Sequence, residues 1–405
     1  GYVKAVDPLG STYKIEDYFA AMGLDFLAPV ALVAGILLAA FEFMLGVCLL
    51  LGANIKTTSI LAMLMMAFMT PLTLWIAIVD PVTDCGCFGD ALVISNWQTF
   101  WKNIVISALV ILVFLWRKHS PKLFSQRTEW IIAICALFYS VCVSIYCYVN
   151  LPIIDFRPYK NGTNIPQSMI IPDDAEQTVY ETKLIYEKDG KKQKFTLNDY
   201  PKDDPSWKFV DQENTLIKQG YEPPIHDFTM EHPDDGDIVE EVLADTGYTF
   251  FLVAYDVSKA LTNKRKEIND IYQYARQNGY GFYCLTTTGL ETKEMQEYKI
   301  ESGGVEYPFV NTDEKQLKTM VRSNPGLVLI KNGVVVNKWS NKNMPVFTEP
   351  LENSPRGQVQ EPNDKRVILL STLLFIGVLL GVFAFDKIVS AVAKRFLSEK
   401  DEDNK

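Results

Sequence analysis

The sequence has 405 residues, of which 48% are hydrophobic and 12% aromatic, and its formal net charge is −10. A negative balance of this size, without a basic stripe, disfavours nucleic acid as a partner. Apolar residues concentrate in 24–150 and 367–385, whereas 151–365 is polar and charged. This division predicts a membrane protein that carries a soluble domain.

Five segments meet the requirement for a membrane-spanning helix, which is ~20 mostly apolar residues. They are 25–51, 58–79, 98–116, 129–150 and 367–385. Lys and Arg are enriched in loops on the cytoplasmic side of a membrane, and here they occupy 117–127 and the tail after Phe385. The charges therefore predict a multi-pass protein of a bacterial inner membrane, with 151–365 and the loop between the second and third spans in the periplasm.

The chain should also begin outside the cytoplasm, although its first residue is Gly1 rather than Met. We therefore expect that either a signal peptide has been removed or a further helix precedes this sequence.

Two cysteines separated by one glycine lie in the periplasmic loop DCGCFGD at 84–90. A disulfide needs Cα atoms about 4.4–6.8 Å apart, and Gly86 permits the tight turn that would bring Cys85 and Cys87 together. A ring this small should be easily reduced and should oxidise other thiols. The alternatives are a static disulfide that closes the loop and free thiols packed in a tight turn.

Charged residues near the two thiols should change their reactivity. Asp84 and Asp90 are expected to raise the thiol pKa, because nearby negative charge disfavours the thiolate. Lys102, one turn into the third span, is the nearest candidate counter-charge. A metal site is disfavoured because the histidines are distant in sequence or lie on the cytoplasmic side; they are His119, His226 and His232.

The fourth span contains three further cysteines, Cys135, Cys142 and Cys147. With a rise of ~1.5 Å per residue, Cys147 should lie nearest the periplasmic surface, level with the loop. It is therefore a candidate for thiol exchange with the loop, although apolar packing is the alternative for all three and is preferred for Cys135 and Cys142.

The polar part of the chain divides into several predicted units. Residues 151–220 form a connector with a β-hairpin at Asp189-Gly190, a pair that favours a type I′ turn. A strand, an amphipathic helix, a second strand, a short helix at 291–300 and a hairpin at Asn332-Gly333 follow, which predicts a mixed α/β sheet. The remaining boundaries are a domain at 221–345, a proline-rich linker at 346–365, a membrane helix at 366–386 and a cytoplasmic tail at 387–405.

The first part of the chain resembles the DoxX and MauE group of membrane bundles, especially DoxX-like proteins of Bacteroidota with an extracytoplasmic extension. The resemblance covers about 1–150 and rests on GYVKAVDPLGSTYKIEDYF, on Glu42 in FEFMLG, and on DCGCFGD followed by TFWKN. It implies a four-helix core similar to that of vitamin K epoxide reductase, a first helix upstream of Gly1, and quinone-linked sulfur oxidation or disulfide formation in exported partners. That enzyme uses CxxC and a second cysteine pair, whereas this loop has only Cys-Gly-Cys.

Glu42 lies within the first predicted span, where a carboxyl group is costly unless it is protonated or paired. It is expected to face the interior of the bundle. It could exchange protons beside a quinone head group, or it could form a buried hydrogen bond that locks two helices together.

Residues 221–340 resemble thioredoxin-like domains of the TlpA type, with EPPIHDFTM at the entry and SNPGLVLIKNG before the final hairpin. In that family a CxxC pair follows the first central strand, but 254–261 reads AYDVSKAL and contains no cysteine. The resemblance implies a cis proline at Pro325 and a peptide-binding edge at Asn324 and Pro325. Cys284 is expected to pack in the core.

Two functions from different classes remain open. The first is a thiol-disulfide oxidoreductase that acts on exported partners through Cys85 and Cys87 and passes electrons to a membrane quinone. The second is a non-enzymatic membrane scaffold whose redox-inactive thioredoxin-like domain binds a periplasmic or envelope protein. The sequence favours the first narrowly.

Overall fold

The protein was analysed as a computed structural model that describes residues 1–82, 84–119, 123–176, 179–188, 191–196, 199–202, 204, 206–218, 220–352 and 364–403. Within these residues, five helices are long and apolar enough to cross a membrane. They are Asp25–Leu51, Ile55–Val79, Asn96–Trp116, Glu129–Asn150 and Arg366–Val392. The five predicted spans are therefore confirmed by length and composition.

Two short helices, α1 (Tyr2–Val6) and α2 (Pro8–Ala21), precede the first span. Asp7 separates them, and its carboxylate caps α2 by accepting a hydrogen bond of 3.0 Å from the Gly10 amide. Pro8 occupies the first helical position, where its missing N–H costs nothing. Our sequence analysis assigned no element to 1–24, although Asp-Pro is an ordinary start signal for a helix.

Four long helices form the membrane bundle. They are α3 (Ala31–Leu51), α4 (Ile55–Val79), α5 (Asn96–Trp116) and α6 (Glu129–Asn150). Helix α4 packs along α5, and α3 packs along α6. Small buried residues, such as Ala39 in α3 and Ser140 in α6, allow close approach of the helix backbones. Between α4 and α5, Asn103 donates a hydrogen bond of 3.2 Å to the Thr73 hydroxyl.

The last helix of the chain packs against this bundle. The Phe375 ring stacks on Tyr139 of α6, with the ring centroids 4.4 Å apart. Further along the same helix, Asp386 accepts a hydrogen bond of 3.0 Å from the backbone amide of Ser125, in the turn before α6. The helix extends over Asp364–Asp403, so most of the predicted tail 387–405 continues it.

The soluble domain is built on a seven-stranded sheet. Its elements are α7 (Ile165–Met169), β4 (Glu231–His232), β5 (Gly236–Asp237), α8 (Val239–Ala244), β6 (Tyr248–Val253), α9 (Arg265–Gln277), β7 (Gly281–Thr286), α10 (Lys293–Glu301), β8 (Phe309–Asn311), α11 (Glu314–Met320), β9 (Gly326–Lys331) and β10 (Val334–Ser340), and the last helix is α12. The strand order is β10-β9-β6-β7-β8-β4-β5, with β6 parallel to β7 and antiparallel to β9. This is a thioredoxin-like arrangement, and the Asn324-Pro325 peptide bond before β9 is cis, as the resemblance implied.

Side chains alternate between two apolar cores on the two faces of the sheet. Phe251 belongs to one core and Phe250 to the other, and both are fully buried. The first core also contains Tyr159, and the second contains Leu351. The domain is therefore larger than the predicted 221–345: the start of the predicted connector and the start of the predicted linker both contribute to its core.

A separate three-stranded sheet lies within the predicted connector, in the order β2-β1-β3. Its strands are β1 (Val179–Lys188), β2 (Lys191–Thr196) and β3 (Lys208–Lys218). The predicted hairpin is confirmed by the antiparallel pairing of β1 with β2, whereas its Asp189-Gly190 turn lies outside the described residues. Strand β3 was not predicted, because KFVDQENTLIK contains Asp and Asn, which are uncommon in strands.

A buried ionic cluster joins the end of α6 to the soluble domain. Arg157 donates a hydrogen bond of 2.7 Å to Asp155, and the ammonium group of Lys338 on β10 contacts the same carboxylate. Arg157 also donates to the carbonyl of Thr319 at 3.2 Å, at the end of α11. Nearby, the Ser340 hydroxyl donates to the carbonyl of Val149 in α6 at 3.0 Å. The soluble domain is therefore fixed against the bundle immediately after the chain leaves the fourth span.

Replacing Phe251 by Ala should lower the free energy of unfolding of the soluble domain by about 3–5 kcal/mol, because it leaves a cavity in the middle of the sheet. Pulse proteolysis of the detergent-solubilised protein across a urea series measures this change. Ile300→Ala is the control, because that side chain is 74% exposed. Equal effects of the two substitutions would contradict the position of the core.

Candidate functional site

The loop between α4 and α5 is folded into a tight turn around Gly86. The Asp84 carboxylate accepts a hydrogen bond of 2.8 Å from the Gly86 amide, and the Gly86 carbonyl accepts one of 3.0 Å from Gly89. Gly86 has φ +62°, which favours glycine, and a Cβ at this position would lie 2.7 Å from Cγ of Lys14. The prediction that Gly86 permits a tight turn is therefore confirmed.

The two loop cysteines are present as thiols. Cys85 is buried, and its sulfur lies 3.5 Å from the Thr99 hydroxyl at the start of α5. Cys87 is partly exposed. The hydroxyl of Tyr18 in α2 donates a hydrogen bond to the Cys85 carbonyl, which holds the backbone of the loop against α2.

The surroundings of the two thiols move their pKa values in opposite directions. A hydrogen bond from the Cys87 thiol is the largest influence on Cys85, and with Thr99 and Lys102 it lowers the pKa of Cys85 despite burial. The same hydrogen bond, together with burial, raises the pKa of Cys87, although Lys102 and Lys4 oppose this change. Such an arrangement favours a Cys85 thiolate beside a protonated Cys87.

The pKa of Cys85 is lowered overall, although Asp84 and Asp90 lie in the same loop. Both carboxylates are paired with cations: Lys14 lies 2.7 Å from Asp84, and Arg322 lies 2.7 Å from Asp90. Their negative charge is therefore largely compensated.

Lys102 lies beside the loop, as predicted. Its ammonium nitrogen is 4.7 Å from the centre of the Phe88 ring, and its charge favours the thiolate form of both cysteines. Of the two lysines that act electrostatically on Cys87, the sequence analysis identified Lys102 and missed Lys4.

Glu42 faces the interior of the bundle, as expected. Its side chain is 15% exposed, and one carboxylate oxygen lies 2.6 Å from the ammonium group of Lys4 in α1. The other oxygen lies 3.2 Å from the backbone nitrogen of Gly1. Glu42 is therefore paired with a cation that also acts electrostatically on Cys87, and this contact links the loop to the membrane helices.

Cys147 packs in an apolar cluster of the bundle that does not include the loop thiols. It is buried in an apolar cluster with Ala5, Val6 and Ala39, and this cluster contains neither Cys85 nor Cys87. Its role in thiol exchange stays a prediction.

The thioredoxin-like domain presents its cis-proline face to the bundle and the cysteine loop. Arg322, three residues before Pro325, binds Asp7 of the bundle as well as Asp90 of the loop. The hydroxyls of Tyr255 and of Tyr13 in α2 are 3.2 Å apart. The segment 254–261, where the family has its CxxC pair, therefore lies next to α2.

The predicted peptide-binding edge at Asn324 and Pro325 is engaged within the chain. The Asn324 carbonyl accepts a hydrogen bond of 3.1 Å from the Leu261 amide, and the Asn324 side chain donates one of 2.7 Å to the Asp256 carbonyl. The Pro325 carbonyl accepts a hydrogen bond of 2.7 Å from the Ser323 hydroxyl. The Asn324 carbonyl therefore already accepts one hydrogen bond from within the domain.

Cys284 lies on β7 in one of the two cores and is fully buried, in agreement with the packing interpretation. Burial raises its pKa well above that of an ordinary thiol. Among the described residues, no group of three or more His, Cys, Asp or Glu side chains is placed to hold a metal ion.

Besides Lys4, three residues that contact the loop were not predicted from the sequence: Lys14, Tyr18 and Arg322. The first two lie one turn apart on α2, so the Asp7-Pro8 start signal could have placed both on one helix face. Arg322 is separated from Asp90 by 232 residues, and no local pattern indicates that contact.

Comparison with known proteins agrees with the two-part organisation. The family model described as methylamine utilisation protein MauE matches residues 1–117. This part of the chain is similar to MauE. A second model, described as a domain of unknown function (DUF8463), matches residues 180–219, which include most of the three-stranded sheet. No curated protein matches the chain.

Among solved structures, the chain is similar to the solution structure of a candidate protein disulfide isomerase from Bacteroides thetaiotaomicron. The sequences are 18% identical, the TM-score is 0.23, and the match covers 29% of this chain and 76% of the other. The thioredoxin-like assignment above rests on the strand order of this protein itself. The MauE-like part contains both loop cysteines, Glu42 and Lys102.

The rate of Cys85 alkylation by iodoacetamide should rise with pH through a midpoint below the ~8.5 of an ordinary thiol, because the thiolate is the reactive form. Cys87→Ala should raise this midpoint, since it removes the hydrogen bond that contributes most to the low pKa. Mass spectrometry of the loop peptide from the reduced protein measures the profile. Cys142→Ala, which removes an exposed thiol of α6, is the control. A wild-type midpoint at or above that of an ordinary thiol would disprove the assignment.

Proposed function

We propose that the protein is a membrane-bound thiol-disulfide oxidoreductase in which Cys85 and Cys87 cycle between dithiol and disulfide. The observation that carries this proposal is the tight turn at Gly86, which holds two neighbouring thiols, one buried with a lowered pKa and the other partly exposed. The MauE-like match and the wider resemblance to the DoxX group support the same class of chemistry.

The geometry favours oxidation of a partner by the loop disulfide. A substrate thiolate attacks the sulfur of the accessible Cys87, the Cys85–Cys87 bond breaks, and Cys85 leaves as a thiolate with the electron pair. Its low pKa makes Cys85 the better leaving group. A second substrate thiolate then attacks the substrate sulfur of the mixed disulfide and releases Cys87, which takes up a proton because its pKa is raised. The substrate dithiol becomes a disulfide, and the loop gains two electrons.

Return to the disulfide requires an acceptor of two electrons and two protons, and a membrane quinone supplies this chemistry. The bundle contains groups that fit a quinone head group. Ser140 and Ser144 are buried on α6, and their hydroxyls have no hydrogen-bond partner among the described residues. They lie on the same helix face as Cys147 and would donate to quinone carbonyls. Lys4 and Glu42 would carry protons between this region and the loop.

The scaffold alternative is less well supported. A scaffold that binds a partner through the cis-proline edge needs that edge to be accessible. Here the Asn324 carbonyl accepts a hydrogen bond from the Leu261 amide. Arg322, three residues before Pro325, binds Asp7 and Asp90. We therefore place the substrate at Cys87 rather than at Pro325, with an exported protein dithiol as the substrate class.

The orientation is part of the proposal: the soluble domain and the cysteine loop face the periplasm of a bacterial inner membrane, and α12 ends in the cytoplasm. A cysteine introduced at the exposed Lys293 should react with a membrane-impermeant maleimide in whole cells, whereas one at Lys118 should react only after permeabilisation. Native cysteines that react are replaced first. Protection of the Lys293 position in intact cells would overturn the orientation.

Cys85→Ser should accumulate mixed disulfides between Cys87 and exported proteins that already carry a disulfide, because Cys87 can attack that disulfide and Cys85 is no longer present to displace the partner. Cys87→Ser should accumulate fewer, since the remaining sulfur is buried. Non-reducing electrophoresis and mass spectrometry of cells treated with acid before lysis detect these species.

Cys142→Ser is the matched control and should behave as the wild type. If a strain with both loop serines keeps full function and leaves the thiol state of every exported protein unchanged, the enzyme reading is wrong and the scaffold reading gains support.

A further inference from the structure

Arg322 connects the thioredoxin-like domain to both the bundle and the cysteine loop. Its side chain is 6% exposed, and its guanidinium donates to Asp7 through two nitrogens, at 2.9 and 3.0 Å from the nearest oxygens. The same group donates to Asp90 at 2.7 Å and to the Lys318 carbonyl at 2.5 Å. Its charge lies 5.3 Å from the centre of the Tyr13 ring. Every nitrogen of this guanidinium therefore has an acceptor, which a buried arginine requires.

The two carboxylates that Arg322 binds belong to different parts of the site. Asp90 is the last residue of DCGCFGD, so Arg322 holds the end of the loop directly. Asp7 caps the start of α2, and α2 carries Lys14, which binds Asp84, and Tyr18, which binds the Cys85 carbonyl. The guanidinium therefore also holds the beginning of the loop, through α2.

We propose that Arg322 is a positioning residue for the Cys85 and Cys87 pair. The thioredoxin-like domain has no cysteine at 254–261 and supplies this arginine to the loop instead. Arg322 fixes α2 and the end of the loop relative to each other, and thereby holds the turn at Gly86 in which the two sulfurs meet. This inference rests on the proposed function, because positioning matters only if the pair reacts.

Charge gives Arg322 a second effect on the same pair. The guanidinium compensates the negative charge of Asp90, which lies three residues after Cys87, and the negative charge of Asp7, which it also binds. Burial by itself would raise the pKa of Asp7, but Arg322 and Arg157 outweigh it and lower the pKa, so Asp7 is ionised. Without Arg322, the negative charge of both carboxylates would be felt by the thiols and would disfavour the Cys85 thiolate.

The test compares Arg322→Gln with the wild type in the full-length, detergent-solubilised protein. Two measurements are made on the loop peptide by mass spectrometry: the pH profile of Cys85 alkylation in the reduced state, and the oxidised fraction in glutathione buffers. Arg265→Gln is the matched control, because Arg265 is an exposed arginine of the same domain that contacts only the Glu301 carbonyl among the described hydrogen bonds.

Arg322→Gln should move the alkylation midpoint upward and increase the oxidised fraction, because a less stable thiolate makes the disulfide harder to reduce. The equilibrium constant with glutathione should change by roughly threefold to tenfold. Arg322→Lys should give intermediate values, since a lysine keeps the charge but cannot bind both carboxylates with a planar fork. Arg265→Gln should leave both measurements at their wild-type values.

Unchanged midpoint and oxidised fraction in Arg322→Gln, with faster limited proteolysis of the soluble domain, would show that Arg322 only docks the domain, and the proposal would fail. If Arg322→Gln does not fold, the Arg322→Lys profile decides: a wild-type profile overturns the proposal. A wild-type loop that forms no disulfide in any glutathione buffer would refute the proposed function instead, while the alkylation profile would still report whether Arg322 acts on Cys85.

Discussion

The organisation of this protein depends on one buried guanidinium. A positive charge that is removed from water is tolerated only when its hydrogen-bond donors are satisfied and its charge is compensated, and Arg322 meets both conditions with groups from three separate parts of the chain. Because Asp7 and Asp90 are on the membrane bundle side, a soluble domain that moved away would remove the guanidinium from both carboxylates. The second ionic cluster, at Asp155, Arg157 and Lys338, adds the same constraint at the exit from α6.

These ionic contacts hold one face of the thioredoxin-like domain against the membrane bundle and the cysteine loop. The face that would carry a reactive CxxC pair is here turned toward a Cys-Gly-Cys loop in the membrane part. The carbonyl before the cis proline bonds to the domain's own Leu261, and the neighbouring arginine bonds to the bundle. The reactive thiols and the thioredoxin-like surface are thus present in one molecule but are contributed by different domains.

Local features were predictable from the sequence, and long-range pairs were not. The five spans follow from hydropathy, and the turn at Gly86 and the hairpin at Asn332-Gly333 follow from the ability of glycine to adopt positive φ. The position of Lys102 beside the thiols follows from its place in the first turns of α5. The pairing of Asp84 with Lys14 and of Asp90 with Arg322 was not predicted, because no local pattern specifies contacts across 70 and 232 residues.

The stacking of Tyr139 on Phe375 has a consequence for motion of the soluble domain. The domain is an insertion between α6 and α12, and these two helices pack against each other, so both of its ends leave the membrane from neighbouring points. A domain held in this way stays at a high effective concentration near the loop even when its ionic contacts open, since it has only a short distance to return. Under the proposed function, a substrate of Cys87 would compete with this intramolecular neighbour for access to the loop, and its apparent affinity would depend on the tether length as well as on its own contacts.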